Sequence, residues 1–102
     1  PMVVSLGPDG AVAAEPDGSL FIATAPRVTA INTVGAGDSM SAGLASALAE
    51  GAGLAEALRV GVACGTASVL TEGIGIVRLP DVDDLLSRVV LHSEPGPRMA
   101  QD

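Results

Sequence analysis

An α/β layer structure is the fold class this sequence predicts, and three observations carry that reading. Short apolar runs rich in β-branched residues fill the first third, each closed by a turn containing Gly or Pro. From Gly37 onward, apolar residues recur at helical spacing instead. The two regimes meet in one stretch, Asn32 to Gly43 (N-T-V-G-A-G-D-S-M-S-A-G), around which the chain is organised.

Taken in order, Met2-Val3-Val4-Ser5-Leu6 is a nearly continuous apolar run stopped by Gly7-Pro8-Asp9-Gly10, which predicts a strand buried on both faces of a sheet. Ala11–Ala14 and Ser19–Ala23 flank Glu15-Pro16-Asp17-Gly18. Pro at the second turn position and Gly at the fourth predict a type I turn, hence a β-hairpin. Val28–Ile31 predicts another short strand feeding the central stretch. A first helix over about 37–50 puts Met40, Leu44, Ala47 and Leu48 on one stripe, with side chains small enough to pack closely on a sheet, and Gly51-Ala52-Gly53 stops it. A second over about 54–70 carries Leu54, Leu58, Gly61, Val62, Gly65 and Val69 at helical spacing. Its glycines cost helix propensity, about 1 kcal/mol each relative to Ala. They fit either close packing or a wall thinned for a flat nucleobase. Pro80-Asp81 opens a third helix reaching about Leu91. From His92 the residues read as a flexible tail.

The central stretch has chemistry as well as punctuation. Gly35-Ala36-Gly37 lets the backbone turn tightly and come close to a ligand. A helix starting there presents N–H groups without intrahelical acceptors at the positive end of its dipole, which suits phosphate. Asp38 then stands beside the anion, where a carboxylate can accept the proton of an attacking hydroxyl. Ordinary helix capping explains the same residues. Neighbouring motifs fit less well. A Walker P-loop needs a Lys, and all five basic residues here are Arg. The dinucleotide fingerprint fails at Met40, where its third Gly belongs. A nucleophile elbow around Ser39 has Ser41 in its last Gly position, and His92 is the one histidine available to it.

Composition narrows the function classes. At 102 residues the chain is at most one small domain. A chain of this length can bury about 65% of its unfolded surface. Apolar residues make up 48% with Phe21 the one aromatic, so the core must rest on Ala, Val, Leu and Ile. A formal charge of −7 argues against sequence-independent nucleic-acid binding. It also means that an anion must be held by backbone N–H groups, a few arginines or a metal ion. The lone Cys64 supports neither a disulfide framework nor a cysteine zinc site and reads as a small core residue. No signal peptide and no apolar run near the ~18 residues of a membrane helix are present, so a cytoplasmic location is expected.

Asn32-Thr-Val-Gly-Ala-Gly-Asp-Ser-Met resembles the D-T-x-G-A-G-D signature of the ribokinase-like (PfkB) family of sugar kinases. The Asn32 start and Ser39-Met40 ending are most similar to its 1-phosphofructokinase and tagatose-6-phosphate kinase branch. Val3-Val4-Ser5-Leu6-Gly7-Pro8-Asp9-Gly10-Ala11 is similar to the family's strand and S-L-G-x-x-G turn. The resemblance spans about Val3 to Leu91 and covers roughly the last third of such an enzyme. It implies an α/β/α sandwich of which residues 1–91 form the C-terminal, nucleotide-binding portion and 92–102 a tail. By this resemblance Asp38 is the catalytic base, and Gly35, Ala36 and Gly37 form the anion hole. Ser5, Gly7, Gly10 and Thr33 contact the nucleotide, and the loop around Thr71–Gly75, including Gly73, lies beside the adenine.

The implied reaction is ATP-dependent phosphoryl transfer to a sugar phosphate, with magnesium carried by ATP. No metal ligand is expected in the chain itself. In many members the loop around Thr71–Gly75 also helps to hold a monovalent cation. Asn32 in place of the common Asp removes one formal charge there. The expected partners are ATP, a sugar phosphate and the N-terminal part of the kinase, with neither nucleic acid nor membrane. A homo-oligomer is open, because a strand like Val3–Leu6 needs a neighbour. Two alternatives stand beside this reading: a non-catalytic nucleotide-binding or assembly fragment, and a serine hydrolase using Ser39.

Overall fold

The computed structural model describes residues 1–73 and 77–96. Ile74 and Gly75 of the expected adenine-side loop, and residues 97–102 of the expected tail, lie outside the described residues. The elements run β1 (Met2–Ser5), a 3-10 turn (Gly7–Asp9), β2 (Gly10–Ala14), β3 (Leu20–Thr24), α1 (Ala36–Ala49), α2 (Leu54–Ser68), α3 (Leu79–Leu86) and β4 (Val90–Glu94). The four strands form one sheet in the order β1-β2-β3-β4, every neighbour antiparallel. This is the expected α/β class.

The hairpin closes as its turn residues dictate. Gly18 N–H donates to the Glu15 carbonyl at 2.9 Å, and Gly18 takes a φ of 90°. The register pairs Ala14 with Leu20 and Ala11 with Ala23. Ala11, Ala13 and Ala23 are wholly buried and meet Leu58, Val62, Ala63 and Ala67 of α2, with Val82 and Leu85 of α3 and Val89 completing the core. Burying a leucine fully, as at Leu58 and Leu85, contributes about 1.5–3 kcal/mol. The Arg59 guanidinium donates to the Leu86 carbonyl at 2.9 Å, tying α2 to the end of α3.

Several expectations change. β1 is not buried on both faces: Met2 and Val4 are exposed, sharing with Val12 and Ile22 the sheet face away from the core. The outer edge of β1 pairs with no strand among the described residues. Val28–Ile31 joins no strand. Its β-branched residues suit an extended chain, but Ile31 and Asn32 both donate N–H to the Val69 carbonyl, at 2.7 and 3.1 Å, instead of to a strand. The third helix stops at Leu86, and Val90–Glu94 pairs with β3 as β4. His92 to Glu94 are therefore strand rather than tail, and the His92 imidazole lies 2.6 Å from the Glu94 carboxylate. Finally, α1 packs on α2 rather than on the sheet. A Cβ at Gly61 would stand 2.9 Å from the Met40 carbonyl, and one at Gly43 2.7 Å from Cys64 Sγ. Close helix packing therefore accounts for Gly61.

Candidate functional site

One cleft of about 370 Å³ opens where the ends of β1 and β2, the connection from β3 to α1, the start of α1 and one face of α2 converge. Ser5, Gly7 and Gly10 form one bank, and Thr33, Ala36 and Gly37 close one end. Ala25–Val28 and Ala30 contribute from the connection, while Val62, Gly65, Thr66 and Val69 of α2 line the cleft with Met40. Backbone bonds couple the banks: Leu6 N–H to the Gly10 carbonyl at 2.8 Å, and Ala25 N–H to the Asp9 carbonyl at 3.1 Å. Gly10 has a φ of 122°, and a Cβ there would run into the Ala23 carbonyl, so only glycine fits. Gly65 serves twice. A Cβ on it would sit 3.2 Å from both the Ala36 carbonyl and Met40 Cβ, and its bare backbone also lines the cleft.

The N-terminus of α1 has the geometry of an anion site. Gly35 is the N-cap in the left-handed conformation, with φ 86°, and no side chain caps the helix. Ala36 N–H donates to the Thr33 carbonyl at 3.3 Å and Ser39 N–H to the Gly35 carbonyl at 2.9 Å. The N–H groups of Gly37 and Asp38 have no partner among the described residues. They are the orphan donors of a helix start. Asp38 is exposed on the same turn and forms no ion pair there among the described residues. Neither Asp38 nor Gly35 lines the cleft itself.

Of the residues singled out in the sequence, Ser5, Gly7, Gly10, Thr33, Ala36 and Gly37 meet in this cleft. Gly73 does not line it; its carbonyl accepts the Thr71 hydroxyl at 3.2 Å. Ser39 is buried, and neither it nor His92 reaches the cleft, so no nucleophile–base pair forms there. Sequence reasoning missed Arg27, the one basic residue in the lining, which forms no ion pair among the described residues. The available signal was its place in a chain with few cations. Burial pushes the Cys64 thiol above its ordinary value, which keeps it protonated and weakly nucleophilic. Among the described residues no group of three or more His, Cys, Asp or Glu could hold a metal. No helix there is long and apolar enough to cross a membrane.

Fold and cleft together define a ribokinase-like α/β protein. The nucleoside kinase of Methanocaldococcus jannaschii, an archaeal member of the ribokinase family, matches 84% of this chain with a TM-score of 0.73 and 26% identity, over 29% of its own length. The pfkB family carbohydrate kinase profile matches residues 1–81, and the chain belongs to that family. Escherichia coli ATP-dependent 6-phosphofructokinase isozyme 2 is 43% identical over 83 residues, 81% of this chain and 26% of that protein. The 1-phosphofructokinase of Haloferax volcanii is 40% identical over 84% of this chain and 27% of its own length. The structure of E. coli phosphofructokinase-2 in complex with potassium has a TM-score of 0.78 and 38% identity, over 84% of this chain and 28% of that one. The chain thus spans between a quarter and a third of the length of these relatives.

Proposed function

We propose that residues 1–94 supply the ATP side of a cytoplasmic sugar-phosphate kinase acting on a fructose phosphate. The observation that carries this reading is the convergence of Ser5, Gly7, Gly10, Thr33, Ala36 and Gly37 on one cleft in a member of the pfkB family. The apolar wall of Val62, Val69 and Val28 suits a nucleobase, and the glycine-rich end suits phosphates. The unpaired N–H groups at the start of α1 face charge that grows on the transferred phosphoryl oxygens. In comparable sites the loss of one such donor costs about 3–4 kcal/mol.

Asp38 takes the proton of the acceptor hydroxyl. That oxygen forms its bond to the γ-phosphorus as the bond to the bridging oxygen breaks, and the electron pair leaves on ADP. Magnesium enters with the nucleotide. The apolar face of the sheet that carries Met2 and Val4, and the edge of β1 that is unpaired among the described residues, are where the rest of the kinase polypeptide packs.

The test is made in the complete polypeptide carrying these residues, with ATP titration beside ADP release on fructose 1-phosphate, fructose 6-phosphate and tagatose 6-phosphate. Asp38→Asn is expected to lower kcat by about 100-fold or more while ATP affinity holds. A variant retaining half the wild-type kcat would remove Asp38 from the mechanism. Arg27→Gln is expected to weaken ATP by about 10- to 150-fold and adenosine hardly at all, since a charge-assisted phosphate contact is worth about 1.5–3 kcal/mol. Equal losses for both ligands would place Arg27 outside the phosphate site.

A further inference from the structure

Helices α1 and α2 carry one sulfur each, and the two are placed differently. Cys64 of α2 lies against α1, where a Cβ added to Gly43 would stand 2.7 Å from its Sγ, and it does not line the cleft. Met40 of α1 does line the cleft, three residues after Gly37, and is only partly buried. The bare backbones of Gly61 and Gly65 make room for it. A Cβ on Gly61 would come within 3.4 Å of Met40 Cγ, and one on Gly65 within 3.2 Å of Met40 Cβ. Met40 is therefore closely packed on its α2 side and open on its cleft side. A thioether is soft and oxidisable, and a peroxide needs only a path to reach it.

We propose that Met40 is an oxidation site whose modification shuts the cleft, and that bound nucleotide shields it. The shielding and the shutting rest on the nucleotide reading above. In the step itself the sulfur lone pair attacks one oxygen of hydrogen peroxide and the O–O bond breaks. The displaced hydroxide takes the proton of the transferred hydroxyl and leaves as water, so sulfur is oxidised by two electrons and the peroxide is reduced. The sulfoxide oxygen is polar. On the α2 side it would meet Gly61 and Gly65, mid-helix residues whose N–H groups are already paired along the helix. Unpaired burial there is unfavourable, so the oxygen turns into the cleft or pushes α1 off α2. The first outcome takes space from the nucleobase, and the second moves the turn that carries Asp38. Cys64 offers no equivalent, because burial keeps its thiol protonated and weakly reactive. A methionine sulfoxide reductase with a thiol reductant reverses the change.

The experiment treats the complete polypeptide with limiting hydrogen peroxide, with and without ADP at about ten times its Kd, beside free methionine as an internal competitor. Sulfoxide at Met40 is followed by peptide mass spectrometry, and turnover is assayed after the small molecules are removed. ADP is expected to slow Met40 oxidation by roughly tenfold relative to free methionine, as the occupied fraction dictates. Turnover is expected to fall in step with Met40 oxidation, by about 10- to 100-fold when it is complete, and to return with the reductase. Met40→Leu, which keeps the apolar volume, is expected to retain most of its own untreated turnover under the same peroxide. Met40 left reduced while free methionine is consumed, or oxidised equally fast with ADP bound, would overturn the proposal. Equal loss of turnover in Met40→Leu would overturn it too. If Met40→Leu does not fold, wild-type turnover that holds level while Met40 oxidises overturns it alone. A wild-type protein that binds no ADP would instead overturn the nucleotide reading, and this proposal with it.

Discussion

At Asp17 and at Asn32 a side-chain oxygen accepts the N–H two residues on, from Ser19 at 2.8 Å and from Val34 at 3.0 Å. A glycine with positive φ follows each, Gly18 at 90° and Gly35 at 86°. The local chemistry is nearly the same, but the connections differ. The Asp17 turn closes on itself, with Glu15 N–H on the Ser19 carbonyl at 2.9 Å, and it caps a hairpin in solvent. The Asn32 turn is tied across 40 positions to Glu72 and leads into a helix whose Gly37 and Asp38 N–H groups have no partner among the described residues. A short turn motif therefore says how the chain bends. What the bend is fastened to, and what lies beyond it, decides whether it can bear a ligand.

The largest effect that would sharpen this contrast is at Gly35. Gly35→Val puts a β-branched residue at a φ it rarely adopts, beside the proposed anion hole. Turnover in the complete polypeptide is expected to fall by about 100-fold or more. Next comes Gly18→Ala, which meets a similar φ and is expected to cost about 1–2 kcal/mol in thermal or denaturant unfolding with ATP affinity unchanged. Equal damage to ATP binding by both would deny that the turns differ. The smallest effect is at Asp17. The Ser19 backbone N–H, followed by the Ser19 hydroxyl, holds the Asp17 carboxyl below its ordinary value of 3.8. A depressed folded value means its stabilisation is present above the unfolded value and is lost as pH falls through the folded one. Asp17→Ala should thus have a slightly lower Tm than wild type at neutral pH. The two should converge in acid, and a gap that persisted at low pH would contradict the assigned cause.

What the sequence made legible follows the same division. Pro16-Asp17-Gly18 fixes a hairpin through contacts a few residues apart, and the small-residue stripes of α1 and α2 need nothing distant to be read as helices. The strand expected at Val28–Ile31 fails because β propensity needs a partner, and the Val69 carbonyl takes the N–H groups instead. Val89-Val90-Leu91 continue the apolar run of α3 and so predict helix and then tail, while the signal that matters, the pairing of β4 with β3, is not local. In the site, the glycine turns around Gly7 and Gly35 stand out as sequence. The wall of Val62, Thr66 and Val69, and the place of Arg27 on its rim, depend on where α2 comes to rest.

The pairing of β4 bears on the order in which the chain folds. Gly10–Thr24 can form a hairpin, and α1 can find α2, through contacts between near neighbours in sequence. β4 cannot find β3 until α2 and α3 have carried the chain back, since Leu20 pairs with Glu94. Closing so long a loop has an entropic cost that the hairpin does not meet. The side chains of β4 are exposed throughout, so little apolar burial offsets that cost. β4 is therefore expected to be the last strand to join the sheet and among the first to leave it, so its amides should exchange with solvent before those of β2.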